Sequence, residues 1–311
     1  MSDSTPVAWV LNLDAEHELE APRGWQPTQH LRAIVQAQAP KLLGNLVAAH
    51  DVVLDERDLT NGLRRARGLR GRAWLPTPRA LKILAAAGAV VDPTPALEVL
   101  QRVNRRDWAT RVRAPLAEDS VSKHIVLDLE SALAQVSLPS ERGWLVRRGF
   151  GAAGRGRRRL HSGKPDAGEL AWLVASLKLG PLVIEPWMEI VREHTRSGFV
   201  RTDGSVLVSA PCFQTTTKEG AWTGTRRAAA GELTRRDDER LAQMVETVGQ
   251  ALAQEGYRGP YGLDAWTARQ GEREVLNPLS EVNARFTMDW ATAVAHDPLD
   301  GTPQRLLELL K

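Results

Sequence analysis

The chain has 311 residues, 42% hydrophobic and 25% charged, with a formal net charge of +3 and a pI near 9.2. Such a composition excludes a disordered or fibrous chain and leaves room for a sizeable core and two or three subdomains. No apolar run is long enough for a bilayer, the start MSDSTPVAWVLNL lacks the pattern of a secretory signal, and Cys212 stands alone, so a cytoplasmic protein without membrane contact or internal disulfide is expected.

Residues 7–13 form a compact apolar run, read as a buried strand. The acid-rich segment 14–20 follows its end, where open α/β sheets place ligands; it reads either as a solvated loop or as a site for a substrate amine. Residues 21–50 carry three prolines, and no boundary is drawn there; 50–54 is a second strand. The most basic stretch is Arg64-Arg65-Ala66-Arg67-Gly68-Leu69-Arg70-Gly71-Arg72. It has no interleaved aromatic residue and has acids just upstream, so it reads as a solvated or anion-facing loop ahead of a nucleic-acid patch. Thr77-Pro78 caps and starts a helix that Gly88 ends. A short strand over 89–91 follows, and Thr94-Pro95 starts a helix to 103. This alternation predicts a small parallel sheet.

Asn104-Arg105-Arg106-Asp107-Trp108 is a basic helix start. A strand over 124–127 and a helix over 129–136 lead to the strand 144–148, which runs into Gly149-Phe150-Gly151-Ala152-Ala153-Gly154-Arg155-Gly156. Glycine lets a backbone approach phosphates and present N–H groups to them. No Gly-Lys-Ser/Thr follows, and the next element, 157–160, reads as a strand, so the loop is neither a Walker A loop nor a dinucleotide fingerprint. After a helix over 166–177, the apolar strand 182–187 carries Glu185, Pro186 and Trp187. Asp203-Gly204 joins the strands 195–200 and 206–211 as a hairpin. Residues 213–231 show little apolar periodicity and read either as a loop that orders on substrate, with Lys218, Arg226 and Arg227 available for a phosphate or carboxylate, or as a disordered surface loop. The best helix spans 234–255, with Leu241, Met244, Val245, Val248 and Leu252 as its core stripe. Helices over 290–296 and 305–310 close the chain.

The centre of the chain is YGLDAWTARQGEREVLNPLSEVNARFTMDW, residues 261–290. A strand holding Asp264 and an extended run holding Glu281, Asn283 and Arg285 at alternate positions would place all four on one face of a hairpin. Two carboxylates and a carboxamide suit a hard divalent cation that keeps nucleotide phosphates as co-ligands, and Arg285 suits an anionic intermediate.

G-x-D followed by E-x-N-x-R, behind a glycine loop between strands and an E-P-W strand, resembles the ATP-grasp superfamily over roughly residues 75–290. The resemblance implies an α/β (α+β) ATP-grasp fold: an N-terminal parallel domain over 1–103, a lid subdomain over 104–184, and a C-terminal subdomain over 185–311, the last two clamping the nucleotide. It implies an ADP-forming carboxylate–amine ligase that uses ATP with Mg²⁺ or Mn²⁺, acts on small-molecule carboxylates and amines, binds no nucleic acid and is open to homodimer formation. Asp264, Glu281 and Asn283 would hold metal, and Arg285 and Arg226 would act in catalysis. Arg106 (or Arg105) and Arg147 (or Arg148) would stand where the family commonly has lysines, with Gly151 and Gly154 over the phosphates. Glu185 and Trp187 would meet adenine through their backbones, Trp187 donating its N–H, and Glu193 would reach the ribose. The alternatives are a nucleotide-binding scaffold of the same fold without turnover, and a nucleic-acid binder using 64–72 and 155–159.

Overall fold

The computed structural model describes residues 5–21, 24–113, 121–151, 156–217 and 222–294, arranged in three sheets. The first contains β1 (Val7–Val10), β2 (Val52–Leu54), β3 (Arg70–Ala73) and β4 (Val90–Val91), all parallel in the order β2-β1-β3-β4. Its helices are α1 (Ala15–Glu20), α2 (Gln29–Gln38), α3 (Pro78–Ala86) and α4 (Leu97–Val103). Thr77 caps α3 as its sequence predicts. The helix expected from Thr94 begins only at Leu97, because Pro93 and Pro95 bias the residues before them to extended backbone. The arginine stretch is in part a strand, not a loop. Arg65 pairs with Asp58 at 3.3 Å, and Arg70 donates to Asp92 at 2.8 Å.

The second sheet contains β5 (His124–Val126), β6 (Trp144–Arg147), β7 (Arg157–Leu160) and β8 (Leu182–Pro186), antiparallel in the order β5-β8-β6-β7. A single helix, α5 (Arg106–Arg113), leads into it from the first domain. α6 (Leu129–Ser137) and α7 (Ala167–Leu177) cover it, and Val126, Val146, Leu160, Leu173 and Ile184 are buried between. Asp166 and Glu169 form a capping box that fixes the start of α7.

The third sheet contains β9 (Glu189–Val200), β10 (Val206–Val208), β11 (Cys212–Thr216), β12 (Trp222–Arg227), β13 (Gly259–Gln270) and β14 (Arg273–Asn283). They are antiparallel in the order β12-β11-β9-β13-β14, with β10 on β9. α8 (Arg235–Gln254) buries the predicted stripe against it, and α9 (Trp290–Val294) follows. The expected loop over 213–231 is largely the hairpin β11–β12. Its polar residues face a cavity, so the apolar alternation that normally marks a strand is missing. Gly154, Lys218 and the helix expected at 305–310 lie outside the described residues. Among the described residues no helix is long and apolar enough to cross a membrane.

α8 comes close to the sheet because Gly198 and Gly249 leave room for Tyr261, whose hydroxyl donates to the Val245 carbonyl at 2.8 Å. A Cβ on Gly198 would lie 2.2 Å from Tyr261 Cζ. Gly198→Ala is therefore expected to destabilise the protein by about 2 kcal/mol or more, read as a lowered urea midpoint.

Candidate active site

β13 and β14 pair with Asp264 directly opposite Glu281, so the predicted hairpin brings the two carboxylates to one face. Asn283 Nδ2 donates to Asp264 Oδ2 at 3.1 Å. β14 ends at Asn283, and Arg285 lies just past the strand rather than on it. Its guanidinium donates to Asn283 Oδ1 at 2.9 Å and, through Nε, to Glu16 Oε1 at 3.0 Å. The acidic segment is thus not a solvated loop. Glu16 holds Arg285, while Asp14 and Glu18 hold Arg79. These acids face arginines of the same chain, and through Glu16 the N-terminal segment orients the Arg285 guanidinium at the carboxylate floor.

The opposite wall is cationic. Arg106, the first residue of α5, donates to Glu281 Oε1 at 2.8 Å, to the Gly151 carbonyl at 2.8 Å and to the Arg148 carbonyl at 3.1 Å. Arg105 turns away to Asp107 at 2.8 Å. Arg147 Nη1 stands 3.8 Å from Glu281 Oε2, whereas Arg148, the next residue and so on the other face, lies over the Trp172 ring at 5.3 Å. Of each pair left open by the sequence, Arg106 and Arg147 face the site. The strand register sets Arg157 opposite Arg147, and both arginines line the same cavity, of about 350 Å³. Sequence reading passed over Arg157 as a site residue. The signal was present, since antiparallel partners share a face.

The electrostatics divide the floor. Burial, together with Glu281 and Asp289, pushes the Asp264 carboxyl up to about 7. Burial also works against the charge on Glu281, but Arg106 and Arg147 outweigh it and hold that carboxyl below its ordinary value. Among the described residues no three His, Cys, Asp or Glu side chains are placed to hold a metal by themselves. The oxygen set here is two carboxylates and one carboxamide, with Asp264 in no ion pair among the described residues. That is a partial shell suited to a hard cation completed by phosphate oxygens.

Glu193 lines the cavity and accepts from the Thr216 hydroxyl at 2.6 Å. Glu185 turns inward at 1% exposure, with Arg147 Nε at 2.9 Å and Lys123 Nζ at 3.4 Å. Lys123 was missed, its only mark being a lysine just ahead of β5. The Trp187 N–H, expected to meet adenine, is instead donated to the Gly143 carbonyl at 2.9 Å, which closes that role in this conformation. Arg226 is also corrected. In β12 it pairs with Phe213 and its guanidinium sits over that ring, while Thr225 and its partner Gln214, on the other face, both donate to Asp289. Arg226 donates to Glu232 at 2.6 Å on the surface. Arg226→Ala is expected to leave the urea midpoint of unfolding nearly unmoved, as for a surface position.

Two lobes facing each other across this cavity, one glycine-looped and cationic, the other carrying opposed carboxylates, form the ATP-grasp fold, and solved structures of that fold match the chain. A biotin carboxylase–ATP complex from Campylobacter jejuni has a TM-score of 0.60 at 12% identity, covering 97% of this chain and 70% of that one. D-alanyl-alanine synthetase A from Vibrio cholerae has a TM-score of 0.54 at 12% identity, covering 99% of this chain and 98% of that one. No family model and no curated protein matches the chain.

Proposed function

We propose that the chain is an ATP-dependent carboxylate–amine ligase that releases ADP and phosphate. The observation that carries this reading is the facing of Asp264, Glu281 and Asn283 by Arg106 and Arg147 across one cavity. Arg106, Arg147 and Arg157 suit a polyphosphate, since guanidinium groups stay charged and bind phosphate oxygens in pairs. Asp264, Glu281 and Asn283 would hold Mg²⁺, which when bound offsets charge on the transferring phosphoryl group. A substrate carboxylate oxygen attacks the γ-phosphorus and ADP leaves. The amine nitrogen then forms a bond to the acyl carbon, phosphate departs, and the ammonium proton is lost to solvent or base. Arg285, fixed by Glu16 and Asn283, is placed to bind the anionic acyl phosphate.

Incubation with MgATP and a mixture of amino acids and small acids is expected to yield ADP and a product whose mass equals acid plus amine minus water. A second reading, a nucleotide-binding scaffold, draws on the Arg106–Glu281 ion pair, in which a cation already occupies a floor carboxylate. MgATP binding without ADP release for any acid and amine would favour the scaffold.

A further inference from the structure

Two of the acids that line the cavity face an arginine: Glu281 meets Arg106, and Asp14 meets Arg79. Asp289 does not. It lies in the segment after β14, is 2% exposed, and lines the same cavity. Its carboxylate accepts from Gln214 Nε2 at 2.7 Å, Trp222 Nε1 at 3.2 Å and the Thr225 hydroxyl. Each donor is neutral, and among the described residues Asp289 makes no ion pair. A buried carboxylate with neutral donors only is costly until a cation joins it. Two residues back, Thr287 is 4% exposed, lines the cavity, and its Oγ1 has no hydrogen-bond partner among the described residues.

An apolar wall accompanies this polar end. Leu31, Ile34 and Val35 recur at helical spacing on α2 and line the cavity, yet no residue of α2 is buried. The stripe faces open space instead of a core. Lys41, just past α2, stands 5.7 Å over the Trp222 ring, which brings that end of the wall beside the indole that touches Asp289.

We propose that this corner is the subsite of the amine co-substrate and takes a primary ammonium on an apolar body. The nitrogen sits between the Asp289 carboxylate and the Thr287 hydroxyl, and the body packs on Leu31, Ile34, Val35 and Trp222. Its assignment to a co-substrate rests on the ligase reading. Gln214 bridges Asp264 at 3.2 Å and Asp289 at 2.7 Å, so the subsite adjoins the carboxylate floor across a single carboxamide.

Calorimetric titration of the full chain with isoamylamine, isoamyl alcohol and methylamine, without nucleotide, tests the subsite, and a separate MgATP titration tests the fold's nucleotide site. Isoamylamine is expected to bind at least about tenfold more tightly than either control. Asp289→Asn removes its advantage over isoamyl alcohol while leaving MgATP affinity within about twofold. Ile34→Gln, on a helix without buried residues, keeps the fold and narrows the preference over methylamine. Isoamyl alcohol equal to isoamylamine, an unchanged preference in Ile34→Gln, or parental amine affinity in Asp289→Asn would overturn the subsite. A chain that takes isoamylamine but not MgATP defeats the ligase reading and leaves the subsite standing. One that takes MgATP but no isoamylamine does the reverse.

Discussion

Asp264→Asn is expected to cut ADP release by about 10³-fold and yet raise the stability of the metal-free protein, because the two effects have one cause. Asp264 stands opposite Glu281 with Asp289 also near, and burial with this company lifts its carboxyl from 3.8 to about 7. The sign follows from proton counts. Between these two values the unfolded chain has released the proton and the folded chain still holds it. Stability therefore falls as pH rises from about 4 to about 7, and the loss is complete above that. Three pH units correspond to at most about 4 kcal/mol, shared with the two neighbouring carboxylates. Asparagine keeps the shape and removes the titration. Urea midpoints of parent and variant should coincide near pH 4 and diverge towards pH 8, with the variant higher. Mg²⁺ should raise the parent's midpoint and leave the variant nearly unmoved. Equal slopes of stability against pH in the two proteins would mean that Asp264 carries no such burden.

The same residues show what was legible beforehand. The alternation of Glu281 and Asn283 gave the hairpin's face, because strand geometry has a period of two and needs no tertiary information. The cap at Thr77 was legible for a similar reason, being a local hydrogen bond within a few residues. The hairpin β11–β12 was not, since Gln214 and Thr225 turn polar groups inward to Asp289, a partner far off in sequence. Arg226 was assigned to the site on charge alone, and one step along a strand puts it on the wrong face. Glu16 and Arg285 lie at opposite ends of the chain, and no spacing rule joins them. In the lid, Glu185 was read through its backbone, whereas its side chain is the counter-charge of the sheet.

That counter-charge makes Glu185→Leu the largest stability loss expected in the protein. Glu185 is 1% exposed, with Arg147 Nε at 2.9 Å and Lys123 Nζ at 3.4 Å. Burial opposes its ionisation, but Arg147 and Lys123, with Arg113 behind them, overcome that and hold the carboxyl below its ordinary value. Lys123 shows the cost from the other side, since burial pulls its ammonium down to about 8 despite Glu185. Removing the carboxylate leaves two buried cations facing each other, and breaking a buried pair costs about 3–5 kcal/mol. Lys123 keeps its bonds to the Leu279 and Ser280 carbonyls at 3.2 and 2.9 Å, so it stays in place and must shed its proton instead. A lysine with a depressed folded value contributes stability that is present above its unfolded value and lost as pH falls through the folded one. The variant should therefore be weakest at neutral pH and recover towards about pH 10, where the unfolded chain also releases that proton. Lys123→Met in the same background should restore much of the loss, because an apolar pair replaces a lone charge. Arg147 would still lack Glu185 and keep only the longer approach to Glu281, so MgATP affinity should remain below the parent's in the double variant. A Glu185→Leu protein within about 1 kcal/mol of the parent at pH 7, or a double variant no more stable than the single one, would show that the lid sheet is held by its apolar core and not by this ionic hub.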